Sequence, residues 1–263
     1  MEYRSWAEGI REWALARGLN VVLMGSVPST NDLGLAALDE VSGPLEAWIF
    51  AHHQRAGRGR FDRSWASPAG AGVYATTLLA LPPAVVPALP LLVGVALCEG
   101  LASLGCRCRL KWPNDILSGG AKLGGVLIQS RVSADRARVV AGFGVNYSQA
   151  GEEPPAEGAT CLRRALPESN ASLSDVTVAL CDAVDRELDR LRGSEAWNPS
   201  DAVRRWSEWT VHDPGDPMTV TIAHEIVEGE FGGVSDEGHL RLMTVDGERL
   251  VAAGDVALSE ASG

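Results

Sequence analysis

The sequence predicts an α+β fold, a mixed helix-and-strand domain followed by a small β-barrel. Three observations carry this expectation. Helical and strand patterns are interspersed up to about residue 212. From about residue 213, short strands alternate with Gly- and Asp-containing turns, the signature of a barrel of roughly 50 residues. The chain also has 263 residues, 46% of them hydrophobic, enough for a sizeable core.

Residues 5–17 predict a helix capped by Ser5 and ended by Gly18, with Trp6, Ile10, Trp13 and Arg17 along one side. NVVLM (20–24) has strand composition, and a second helix follows the polar cluster Ser29-Thr30-Asn31. AWIFA (47–51) and VYATTLLA (73–80) are strands separated by a Gly/Arg loop, and 87–104 is a core helix. RCRLKW (107–112) and ILS (116–118) carry strand composition. Gly119-Gly120 marks a hairpin turn, and KLGGVLIQS (122–130) is the returning strand. ARVVAGFGVNY (137–147) is the next strand, and 148–160 is an acidic, Pro-rich loop expected to be mobile. Helices are expected at 173–192 and about 199–209, and barrel strands near MTVTI, IVEGEF, HLRLMTV and RLVAAG. The expected domains are 1–211 and 212–263.

The charge is lopsided: Lys+Arg 23 against Asp+Glu 34 gives −11. So acidic a chain is a poor generic nucleic-acid binder. Pro and Gly interrupt the longest apolar stretch, so no membrane span is expected, and the charged N-terminus lacks an apolar signal core. Five cysteines without a CxxC pair predict reduced thiols and a cytoplasmic protein. Only two lysines occur, Lys111 and Lys122.

Chemistry concentrates in four stretches. Residues 54–65 (QRAGRGRFDRSW) hold four Arg and one Asp, a local +3, with glycines that let backbone approach a ligand and guanidinium forks that grip phosphate or carboxylate. Both lysines fall in Lys111-Trp112-Pro113-Asn114-Asp115 and Lys122-Leu123-Gly124-Gly125, and a hairpin would bring Lys122 beside Asp115, where an ammonium can stabilise developing negative charge. Ser29-Thr30-Asn31 offers three short polar side chains, and Asn146 is an amide in an apolar strand that needs partners. Each has a plainer reading: a solvated loop, a surface ion pair, a helix cap. His52-His53, Cys106-Arg107-Cys108, Trp206 and Trp209 are read as incidental or core.

Together, in this order and spacing, STN, QRAGRGR with its following W and SP, KWPND, KLGG and GFGVN resemble the biotin protein ligases. The resemblance spans most of the chain. It implies a class II synthetase-like mixed-sheet catalytic domain with a C-terminal SH3-like barrel. It also implies a two-step reaction: biotin, ATP and Mg²⁺ give biotinyl-5′-AMP, and the biotinyl group then passes to a lysine of a biotin carboxyl carrier protein. It places Lys122, Arg60, Lys111 and Asp115 in catalysis. Biotin falls to Ser29, Thr30, Asn31, Gln54, Arg58, Gly59, Arg60, Lys122, Gly124 and Gly125, and the nucleotide to Arg58, Arg60, Trp65, Lys111, Asn114 and Asn146. No metal ligands are assigned. Asp62 stands where the family usually has Gly, Phe61 where Gly or a basic residue is common, Gly124 where Ala is usual, and Gln129 where Glu is common. Only 28 residues precede Ser29, too few for the winged-helix repressor domain of some members, so no DNA binding is expected. The competing expectations are a lipoate–protein ligase or acyltransferase of the same fold and a non-catalytic biotin-binding module.

Overall fold

A computed structural model describes residues 2–41, 46–148, 158–193, 198–223 and 225–258. The expected fold class holds. A seven-stranded mixed sheet is formed by β1 (Val21–Met24), β2 (Ala47–Ala51), β3 (Gly72–Leu81), β4 (Arg109–Lys111), β5 (Asp115–Ser118), β6 (Ala121–Val132) and β7 (Ala137–Asn146). Its order is β1-β2-β3-β7-β6-β5-β4. Only β1 and β2 run parallel, and every later pairing is antiparallel.

Strand alternation decides which layer each residue joins. Trp48, Phe50, Val73, Ala75, Leu79, Val139, Ala141, Phe143 and Val145 enter the main core with helices α1 (Glu2–Arg17), α3 (Leu89–Ser103) and α5 (Leu173–Gly193). Ile49, Leu78 and Val140 face the other way and pack under Leu38 of α2 (Thr30–Glu40). Gly34 lets α2 lie close, because a Cβ there would sit 2.9 Å from both Leu78 and Val140. Buried in place of water, each large aliphatic side chain contributes about 1.5–3 kcal/mol.

Several boundaries differ from expectation. Helix α1 starts at Glu2, so Ser5 lies inside it, while Gly18 ends it at φ 67. Ser29 is the N-cap of α2, its Oγ accepting the Asp32 N–H at 3.4 Å, and Thr30 and Asn31 form the first turn. The segment Pro83–Ser103 is long and apolar enough to span a membrane by length and composition alone, but it is mostly buried as α3 and the turn before it. Gly119 and Gly120 make the expected hairpin with φ of 58 and 80. Of the expected mobile loop, residues 149–157 lie outside the described residues. Its end is tied down: Lys122 N–H donates to Gly158 O and Thr160 N–H to Lys122 O. All five cysteines are buried and unpaired.

Short α4 (Leu162–Ala165) and α6 (Pro199–Ser207) lead to the C-terminal unit. Strands β8 (Pro217–Ile222), β9 (Glu225–Val234), β10 (Leu240–Thr244), β11 (Gly247–Val251) and β12 (Asp255–Leu258) form an antiparallel sheet ordered β11-β10-β9-β8-β12. It rests against α6, the segment that follows it and the turn after β4. Trp206 and His212 pack on Phe231, and Trp112 Nε1 donates to Gly238 O at 3.1 Å.

Candidate active site

The cleft is prepared by a change along one face of the β3–β7 pair. Leu78 opposite Val140 supports α2. One step along, Thr76 opposes Gly142, and then Tyr74 opposes Gly144. The missing side chains on β7 make room: a Cβ on Gly142 would lie 1.8 Å from Asn31 Oδ1, and one on Gly144 2.5 Å from Trp65 Nε1. Glycine here is required by close approach of other groups. The resulting open cleft, about 200 Å³, is lined from α2, the 54–65 loop, the β4–β6 hairpins, β7 and β12.

Its floor is a closed polar network. Gln54 Oε1 accepts the Thr30 backbone N–H at 2.9 Å and the Thr30 hydroxyl at 3.2 Å. Gln54 Nε2 donates to Ser67 Oγ at 2.8 Å. Thr76 Oγ1 lies 2.8 Å from both Thr30 Oγ1 and Asn31 Oδ1. Asn31 Nδ2 donates to Leu127 O at 3.2 Å and Gln129 Oε1 at 3.0 Å. Ser29, Thr30, Asn31 and Gln54 are all buried. Such a network holds its members in one orientation because an unpaired buried polar group is costly.

Above it lies a cationic wall of Arg58, Arg60, Arg63, Lys111 and Lys122, against the carboxylates Asp115 and Asp255. Lys122 Nζ is 2.5 Å from Asp115 Oδ1 and 5.5 Å from the Trp65 ring centroid. Arg58 Nε is 2.9 Å from Asp32, with Asp62 at 3.4 Å from its Nη1. Arg60 Nη1 donates to Gly254 O at 3.1 Å and contacts Asn114 Oδ1 at 3.4 Å. Burial holds Arg60 below the usual guanidinium range and pulls the Lys111 ammonium down, with Asp115 partly opposing. Asn114 is a strut: its Nδ2 donates to Val126 O at 2.7 Å. The Trp112 backbone N–H donates to His212 Nε2 at 3.3 Å, fixing the strand that carries Lys111.

Thus Ser29, Thr30, Asn31, Gln54, Arg58, Gly59, Arg60, Trp65, Lys111, Asn114, Asp115, Lys122 and Gly125 converge on one cleft. Gly124 and Asn146 do not line it. Gly124 sits in the sheet, where a Cβ would meet Gly144 O at 2.7 Å. Asn146 satisfies its amide within the chain, donating to Thr160 O at 2.9 Å. Sequence reasoning missed Thr76 and Asp255, and read Arg63 only as one of the four arginines of the 54–65 loop. Thr76 carried the only available signal, a polar residue in an apolar strand.

Residues 25–146 match the model of the "Biotin/lipoate A/B protein ligase family". The chain is 30% identical over 259 residues to the biotin–[acetyl-CoA-carboxylase] ligase of Paracoccus denitrificans, covering 89% of this chain and 98% of that protein. It is 32% identical over 221 residues to the ligase of the same name from Mycobacterium tuberculosis, covering 79% and 77%. A bifunctional ligase/repressor of Bacillus spizizenii is 30% identical over 224 residues, covering 82% and 67%. Among solved structures, the biotin protein ligase of Aquifex aeolicus in complex with biotin and ATP shares the fold with TM-score 0.72 at 23% identity, covering 92% of this chain and 99% of that one.

Proposed function

The chain belongs to the biotin protein ligase family, and from that premise we propose that it joins biotin to a lysine of a biotin carboxyl carrier domain at the cost of ATP. The observation that carries the reading is one cleft in which a closed polar floor (Thr30, Asn31, Gln54) meets a wall of five cations.

In the first step a biotin carboxylate oxygen attacks the α-phosphorus of ATP. The bond to the β-phosphate breaks, giving biotinyl-5′-AMP and pyrophosphate. Two anions must meet, and Arg58, Arg60 and Lys111 offset their repulsion while holding them in line. The polar floor receives the biotin ring, and Trp65 with Asn114 bounds the nucleotide side. In the second step the acceptor amine attacks the carbonyl carbon, the bond to the AMP oxygen breaks so that AMP leaves, and the amine's proton passes to solvent. Lys122 stabilises the tetrahedral oxyanion, and Asp115 orients the incoming amine. Gly59 and Gly125 let backbone approach the ligand.

Among the described residues no three His, Cys, Asp or Glu side chains converge. The described residues therefore form no all-protein cage for Mg²⁺. The division at 211/212 is proposed with the function, as is a reducing, cytoplasmic setting consistent with five unpaired cysteines. The repressor activity named for the Bacillus relative is not proposed for this acidic chain. Pyrophosphate release from ATP on adding biotin, measured against lipoate and against no acid, tests the reading. Release with lipoate alone overturns it.

A further inference from the structure

One cleft carboxylate comes from the C-terminal sheet and has no role above. Asp255 opens β12, whose position is fixed by antiparallel pairing with β8, Asp255 opposite Thr221. Its Oδ1 lies 2.5 Å from Arg63 Nη2. One residue earlier, the Gly254 carbonyl accepts the Arg60 Nη1 hydrogen bond at 3.1 Å. The chain at Gly254 is tucked against β8, since a Cβ there would sit 2.9 Å from Val220 Cγ1.

Between these two arginines the loop turns through Phe61 and Asp62, at φ 52 and φ 56. L residues adopt that left-handed region only when their surroundings hold them there. Phe61 is exposed, yet both guanidinium groups lie on its ring, at 4.7 and 5.9 Å. The strained tip is thus clamped on either side by Arg60 and Arg63, and both side chains end on the C-terminal sheet.

We infer that Asp255 is a positioning residue: acting through Arg63, it fastens the 59–65 loop to the C-terminal sheet and keeps the acyl-adenylate in the cleft until the acceptor amine arrives. This rests on the ligase reading above. A mixed anhydride that escapes acylates any amine it meets, so its escape is set by how often the loop opens. The latch is an ion pair of side chains 59% and 42% exposed. Its loss therefore changes the open population several-fold rather than by orders of magnitude.

The test uses the full chain carrying Asp255→Asn, Arg63→Gln, both together, and the charge exchange Arg63→Asp with Asp255→Arg. The readout is biotin on a bystander protein relative to biotin on a carrier domain, per pyrophosphate released. Each single substitution raises that ratio roughly threefold to fivefold. The double adds nothing further, and the charge exchange returns it toward wild type. A merely structural role lowers pyrophosphate release and melting temperature without moving the ratio, and overturns the inference. So does a lowered KM for ATP at unchanged ratio in Asp255→Asn, which would make this carboxylate a competitor of the phosphates. If the wild-type chain releases no pyrophosphate with biotin, the ligase reading fails. If it does and the ratio never moves, only the latch fails.

Discussion

Gly142→Ala adds one methyl group where the structure leaves no room for it. The new Cβ would lie 1.8 Å from Asn31 Oδ1, 2.7 Å from its Cγ and 3.1 Å from its Nδ2, and real Cβ atoms essentially never come within 3.0 Å of a neighbour. Asn31 must retreat by at least about 1.2 Å, and its bonds to Leu127 O, Gln129 and Thr76, at 2.8 to 3.2 Å, cannot all survive. Each lost bond costs about 1 kcal/mol and more where a buried partner is left unpaired, so the variant loses about 2–4 kcal/mol of stability. For a chain of this size that is a fall of roughly 5–10 °C in Tm. Biotin KM in the pyrophosphate-release assay rises about tenfold or more, because the polar floor has lost its shape. In an Asn31→Ala background the carboxamide is gone and the methyl fits. The added cost then drops to near zero, a coupling of about 2 kcal/mol or more. A Gly142→Ala enzyme with wild-type biotin KM and Tm, or penalties that simply add in the double variant, would refute the reasoning.

Lys122→Ala lowers transfer of the biotinyl group to the carrier lysine by about 10²- to 10³-fold, the usual cost of a lost oxyanion donor. Its melting point falls only a little, because the pair with Asp115 is partly exposed. Activity within tenfold of wild type would contradict this, and Lys122→Arg does not restore it, since a planar fork replaces a point charge. Asp62→Gly removes a left-handed aspartate at φ 56 and adds about 1 kcal/mol of stability, read as a higher denaturant midpoint at unchanged slope; a lower midpoint would show that the Asp62–Arg58 contact outweighs the strain. His212 gives a pH signature. Burial, with Lys111 nearby, holds its imidazole at about 4 against an ordinary 6.5. The fold keeps it neutral and the unfolded chain does not, so stability is full above pH 6.5 and lost as pH falls toward 4. The loss reaches about 3 kcal/mol at most. His212→Gln flattens this slope in urea melts at stepped pH, and an unchanged slope would remove His212 as the cause.

The large elements were legible because burial writes a period into the chain. The alternation of Trp48, Ile49 and Phe50, and the apolar run of α3, reflect the two faces of a sheet and an enclosed helix. Most of the site was legible too, since the Arg/Gly loop and the two lysines are unusual in so acidic a chain. What stayed hidden depends on distance rather than type. The GFGVN stretch pointed to its amide, but Asn146 is satisfied by Thr160 O, and the working residues are the glycines that seat Asn31 and Trp65. Asp255 is one aspartate among many until β12 folds back beside Arg63, 192 residues away in sequence. Ser5 looked like a cap because a short polar side chain fits either a cap or an exposed helical turn, and the helix simply continues to Glu2.

The central claim is that this cleft activates biotin and passes it to a lysine. The most direct measurement is the intact mass of a biotin carboxyl carrier domain after incubation with the protein, ATP, and either biotin or lipoate. The account predicts one biotinyl adduct per carrier, mapped to a single lysine, absent without ATP and absent with the Lys122→Ala variant at matched time. A lipoyl adduct with no biotinyl adduct, or no ATP-dependent adduct from a folded protein, would contradict it.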